Sequence, residues 1–321
     1  MKKSTRNVLV GSAFAAGLLH SAYQCMTRYL VKVALDRKLP IHSPGAREKL
    51  SGGGIDPAVE ERLQTCAKRL EATPHETVMI SAEDGIGLVG HWFAKEGARR
   101  VILAMHGWRS GWSHDFGAVA DFWFAQGCSV LLPEQRGQGK SGGEYMGFGL
   151  LERYDCLSWI RWLNEHGCSQ LPIYLCGVSM GASTVLMAAG LTLPANVKGV
   201  VADCGYTSAG AVWKHVAGKN LGISFNLCRL GANALCKKRL HMGMDDYSCT
   251  QAMSQCKVPV LFIHGDADAF VPVEMTYENY AACASPKELL IVPGAAHGMS
   301  YFTDAEAYRR AITALWERQE Q

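Results

Sequence analysis

The stretch IYLCGVSMGASTVLMAAG, residues 173–190, decides the fold. Its first five residues form a short apolar run rich in strand formers, and its last nine are good helix formers in a continuous run. Between them lies GVSMG, residues 177–181, a Gly-x-Ser-x-Gly placed at a strand-to-helix junction. Glycines at these positions permit a tight turn that projects Ser179 outward and places backbone N–H groups beside it. Alone, such a motif is weak. In the order strand, turn, helix it is a strong indication of a nucleophilic serine.

Working outward, β-rich runs alternate with helical stretches. Strands are expected at 77–81, 88–93, 101–106, 129–133, 173–177, 197–203, 258–264 and 288–292. The first two flank EDGIG, residues 83–87, and should form an antiparallel hairpin. The later runs are almost uniformly apolar, as strands buried on both faces must be. Helices are expected near 115–126, 151–166, 180–190, 273–284 and 304–318. The pattern predicts an α/β fold with a mostly parallel eight-stranded sheet and helices on both faces. Ligands of such sheets bind beyond the strand C-termini.

Those ends carry the chemistry. After 101–106 comes HGWRSG, whose loop can bring the Trp108 N–H beside that of Met180 to form an oxyanion hole. After 258–264 comes HGDADAFVP, which offers Asp266 and Asp268 as the acid, and their chemistry alone does not separate them. After 288–292 comes PGAAHG, which offers His297 as the base. The chain order Ser, Asp, His is that of a nucleophile-elbow hydrolase. Asp203 also ends a strand and is an alternative acid on position. His106 and His264 precede glycines at strand ends and read as loop-organising residues, since no metal-binding spacing accompanies them. Trp112, Tyr145 and Phe148 fall on loops near the expected site and are candidate acyl-group contacts. GQGKS at 137–141 resembles the tail of a phosphate loop, but Glu134 stands where the first glycine is needed, so no nucleotide, cofactor or metal is expected.

On HGW, PEQRGQGKSGG (133–143), GVSMG, DCGYTS (203–208), HGDADAFVP and AHG, the chain resembles the α/β-hydrolases over about 73–319. Within them it is similar to bacterial serine hydrolases labelled cinnamoyl-esterase or dipeptidyl-aminopeptidase-like, some of which carry N-terminal anchors. Glu134 departs from the commoner aspartate in the second segment. The resemblance implies Asp268 as the acid, and an acyl-enzyme formed on Ser179. It also fits a small helical cap at about 206–256, a connection longer than an ordinary loop.

The N-terminus is read separately. Lys2, Lys3 and Arg6 precede the apolar run VLVGSAFAAGLL at 8–19, and His20, Gln24, Arg28 and Lys32 then recur every fourth residue. This predicts one long, mostly apolar helix within 1–39 and membrane association through 8–35, with the side of the membrane open. A cytoplasmic protein whose helix packs on its own domain is the alternative. Residues 40–72 should be a linker followed by an amphipathic helix with Asp56 at the N-cap and Pro57 at N1.

Composition bounds the rest. The 321 residues are 48% hydrophobic and 19% charged, enough for a large core and too apolar for disorder. Lys+Arg 32 against Asp+Glu 29 is too balanced to suggest nucleic acid. The 12 cysteines contain no CxxC pair, so buried thiols are expected rather than zinc or redox chemistry. Oligomeric state is not legible. The expected activity is hydrolysis of a small-molecule acyl ester, against two alternatives: a peptidase or acyl-peptide hydrolase, and a non-catalytic ligand-binding protein.

Overall fold

The computed structural model describes residues 20–38 and 56–320. The apolar run 8–19 and the linker glycines and prolines at 40–54 lie outside the described residues. Eight strands form one sheet: β1 (Glu76–Ser81), β2 (Gly87–Phe93), β3 (Arg100–Met105), β4 (Cys128–Glu134), β5 (Ile173–Val178), β6 (Val197–Asp203), β7 (Val260–Gly265) and β8 (Lys287–Val292). Their spatial order is β1-β2-β4-β3-β5-β6-β7-β8. β1 and β2 form the expected hairpin, β2 runs antiparallel to β4, and the pairings from β4 to β8 are parallel. β3, β4 and β7 are buried along their whole length, which is why their sequences show no alternation.

Around 20–38 the chain does something other than stand apart as an anchor. Residues 20–35 are helical (α1), and the face Thr27, Val31, Leu35 is fully buried against the body of the protein. The helix is fastened at its C-terminal end. The Arg109 guanidinium donates to the Val33 and Asp36 carbonyls, and Arg37 donates to the Ser141 carbonyl at 2.6 Å. Asp36 bridges Tyr145 and pairs with Arg239 at 2.7 Å. Among the described residues no helix is long and apolar enough to cross a membrane. The apolar periodicity of α1 is thus the signature of a docked helix through residue 35.

The helices follow in order. α2 (Pro57–Ala72) starts as its sequence dictates, with the Asp56 carboxylate accepting the Ala58 N–H at 2.7 Å. The stretch expected as one helix at 115–126 is two, α3 (Trp112–Phe116) and α4 (Ala120–Ala125). The break falls at Gly117, where a Cβ would lie 2.7 Å from the Cys66 backbone of α2. Close packing of two backbones, invisible to local propensity, ends the helix there. α5 (Glu152–Leu163) and α6 (Met180–Ala189) pack together beneath the cap side of the sheet. α7 (Ala209–His215), α8 (Phe225–Leu240) and α9 (Cys249–Met253) occupy the β6–β7 connection. α10 (Val273–Ala282), α11 (Ser300–Thr303) and α12 (Ala305–Gln319) complete the chain.

Arg136, in the loop after β4, holds this loop to two other elements. Its guanidinium meets Asp155 of α5, both side chains almost wholly buried, and reaches Asp84 at 2.7 Å. Arg136→Met leaves the Asp155 carboxylate buried without its partner. The expected loss is about 3–5 kcal/mol of unfolding free energy, to be read from denaturant melts of the two proteins.

Candidate active site

Ser179 sits between β5 and α6 at φ 57°, ψ −117°, a backbone conformation that L residues avoid. Such a residue costs about 1–3 kcal/mol and persists only where its surroundings enforce it. Here they do. A Cβ on Gly181 would stand 1.8 Å from the Met105 carbonyl oxygen, and one on Gly177 2.3 Å from Gly181. Strand β3, strand β5 and helix α6 therefore meet backbone to backbone, and only glycine fits at either position. The Ser179 N–H donates to the Asp203 carbonyl at 2.8 Å, which anchors the turn to β6.

His297 lies in the loop after β8, with Nε2 2.9 Å from Ser179 Oγ and Nδ1 2.6 Å from Asp268 Oδ2. Asp268 is buried after β7. Its Oδ1 accepts the Phe270 and Val271 N–H groups, each at 2.8 Å, and His264 Nε2 lies 3.2 Å from Oδ2. Of the two aspartates left open by the sequence, Asp268 faces His297, whereas Asp266 is exposed and accepts the Gly294 N–H at 2.6 Å. Asp203 is held by Ser300 at 2.8 Å, under the serine turn.

The electrostatics follow from these contacts. Burial alone would raise Asp268, but His297 and His264 hold its carboxyl well below the usual range. Burial would likewise lower His297. The Asp268 carboxylate against Nδ1 overrides it and holds the imidazole well above its ordinary value. Cys204, beside them at φ 50°, is pushed up to about 11 by burial and stays a neutral thiol at ordinary pH. Thiol, carboxylate and imidazole here lie within 4.8 Å of one another, close enough in principle for a metal. His297 has both ring nitrogens engaged, Nδ1 with Asp268 and Nε2 with Ser179, so the cluster reads as a hydrogen-bonded chain.

The loop bearing Trp108 passes beside the serine, since a Cβ on Gly107 would be 3.4 Å from Ser179 Cβ. Asp115 pins it by accepting the Gly107 N–H at 2.7 Å and the Ser110 hydroxyl proton. Asp115 was not among the residues singled out from sequence, and its signal is only its place eight residues after Gly107. No acceptor among the described residues takes the Trp108 backbone N–H. Met180 opens α6, where a first-turn N–H has no intrahelical partner. His106 and His264 organise loops: His106 Nδ1 is 2.8 Å from the Gly107 carbonyl, and His264 Nε2 is 2.9 Å from the Val271 carbonyl.

The three candidate acyl contacts separate. Phe148, at φ 54°, lines an apolar cavity with Trp108 and Phe270. Trp112 does not. It stacks on His91 at 4.0 Å in the core on the opposite side of the sheet. Tyr145 is also elsewhere, bridged to Asp36 and covered by the Arg239 guanidinium. Phe270 was missed, although it lies two residues past Asp268, and its ring stands 4.9 Å from that of His297.

Residues 96–217 match the model of the serine aminopeptidase family S33. The uncharacterized protein YqkD of Bacillus subtilis is 28% identical over 190 residues, 58% of this chain and 61% of that one. This chain thus spans about three fifths of YqkD's length. The uncharacterized protein YfhR of Escherichia coli K12 is 24% identical over 74% of this chain and 78% of its own. Among solved structures, the esterase Pf2001 of Pyrococcus furiosus superposes with a TM-score of 0.62 at 22% identity, covering 83% of this chain and 97% of that one. With an eight-stranded sheet of this order and a serine turn at the end of β5, the chain has the α/β-hydrolase fold.

Proposed function

We propose that the protein is a serine hydrolase that cleaves carboxylic esters through an acyl-enzyme. The observation that carries this reading is the unbroken chain Ser179 Oγ–His297–Asp268, at 2.9 and 2.6 Å, mounted on the strained turn. A serine hydroxyl is a weak nucleophile until a base removes its proton. His297 Nε2 is within reach to take it and later return it to the leaving alkoxide, while Asp268 fixes the imidazole tautomer and stabilises the imidazolium. The Trp108 and Met180 amides stabilise the tetrahedral oxyanion, each such donor typically contributing about 3 kcal/mol. Water then releases the acid by the same route. An esterase among the structural neighbours supports the ester substrate.

The aminopeptidase description of the matching family favours a second reading, hydrolysis of an amino-terminal peptide bond. That reaction needs a carboxylate to receive the substrate ammonium. The apolar cavity beside the site is lined by leucine, valine, alanine, tryptophan and phenylalanine, with no carboxylate.

The test is turnover of p-nitrophenyl butyrate against alanyl-p-nitroanilide, with fluorophosphonate labelling of the folded protein. Ester turnover with labelling is expected. Faster anilide turnover would favour the peptidase, and a folded protein that neither labels nor turns over would sink the reading. Because the base works only when neutral, a raised His297 shifts the acid limb. kcat/KM is expected to fall as pH drops through a midpoint above the ordinary histidine value of 6.5. A limb centred below that value would contradict the Asp268–His297 coupling.

A further inference from the structure

Resting on the hydrolase reading, we infer that helix α1 forms the outer wall of an acyl-chain chamber, and that the acid half of the substrate is an unbranched aliphatic chain. The cavity is lined by two residues next to the triad: Trp108, whose preceding glycine lies against Ser179, and Phe270, whose ring stands 4.9 Å from that of His297. It runs between α1 and the helices of the β6–β7 connection. Ala34 of α1 marks the inner end, since its carbonyl accepts the Trp108 indole N–H at 2.8 Å. Leu30, one helical turn back, lines the same cavity, as do Ala217 and Leu221.

Its chemistry and size both narrow the occupant. None of the lining side chains carries a hydrogen-bond acceptor. A hydroxylated aromatic acid would bury a phenolic O–H with no side-chain acceptor there, which is unfavourable, whereas a hydrocarbon brings no donor that needs one. The cavity is narrow, about 50 Å3. At roughly 10–15 Å3 for each water-sized group, it holds about three to five such groups. That is the length of a butanoyl to hexanoyl chain. The wall is also built to stay in place, since the Arg109 and Arg37 guanidiniums and the Asp36–Arg239 pair fasten the end of α1 nearest the serine.

The experiment is a chain-length series of p-nitrophenyl esters, acetate to decanoate plus benzoate, on wild type, Leu30→Ala and Ala217→Leu in the full chain. In wild type kcat/KM rises about three- to fourfold per methylene, the factor that burying a CH2 corresponds to, peaks between butanoate and hexanoate, then falls. Leu30→Ala moves the peak to longer chains and Ala217→Leu to shorter ones. Three profiles that superimpose after scaling, or a wild type that prefers benzoate to hexanoate, overturn the chamber while leaving the hydrolase standing. If nothing is hydrolysed and fluorophosphonate does not label, the hydrolase reading falls. The chamber is then judged by 6-bromohexanoate quenching of tryptophan emission, expected in wild type and weakened severalfold in Ala217→Leu. No quenching in wild type overturns it.

Discussion

Ser179→Ala is expected to remove ester turnover by about 10^4- to 10^6-fold in kcat, abolish fluorophosphonate labelling and leave the fold intact. The substitution deletes one buried oxygen whose mapped side-chain contact is His297 Nε2. It keeps the Cβ, so the turn keeps its φ of 57° and the strain that goes with it. Unfolding free energy should therefore change by no more than about 1 kcal/mol, and upward as readily as downward, because the hydroxyl serves chemistry rather than packing. Residual activity would come from the amides of Trp108 and Met180, which the change does not touch. Steady-state kinetics with p-nitrophenyl butyrate checks the rate, and circular dichroism with a denaturant melt checks the fold. A variant that keeps a tenth of the wild-type rate would remove Ser179 from the role of nucleophile.

What was legible in the sequence follows from how strongly each feature is dictated locally. The strands could be placed because a parallel strand covered on both faces must be apolar throughout, and VILAMH or VPVLFIH satisfies that without reference to the rest of the chain. The serine turn could be placed because two glycines are forced by backbone approaches of 2.3 and 1.8 Å. Other features depended on distant partners. Gly117 looks like any helical glycine until α2 lies against it. Val31 and Leu35 are equally consistent with lipid and with a protein core, since burial is blind to what does the burying. What decides for the core is a set of polar groups far along the chain, Arg109, Arg239 and the 139–146 loop, which meet α1 only after folding. Trp112 and Tyr145 lie outside the cavity lining for a related reason. Nearness in sequence to a site loop says nothing about which side of the sheet a ring will cover.

The contrast between the two aspartates is the second large effect. Asp268→Asn is expected to lower kcat/KM by about 10^4-fold, and Asp266→Asn by less than threefold. The carboxylate of Asp268 works from both oxygens. Oδ1 is fixed by the Phe270 and Val271 amides, so Oδ2 points at His297 Nδ1 before any substrate arrives. An asparagine oxygen would still satisfy those two amides. Its NH2 would then face Nδ1, favouring the tautomer protonated on Nε2, and the nitrogen that must accept the serine proton would carry one already. The same exchange removes the negative charge that holds His297 above its ordinary pKa, so the acid limb of any residual activity should move down in pH. Asp266 has no such leverage, because its mapped side-chain bond is to the exposed Gly294 N–H. Kinetics of both variants across pH 5–9 separates the roles. An inactive Asp266→Asn beside an active Asp268→Asn would mean that the acid had been assigned to the wrong residue. Two active variants would mean that His297 needs no carboxylate partner to serve as base.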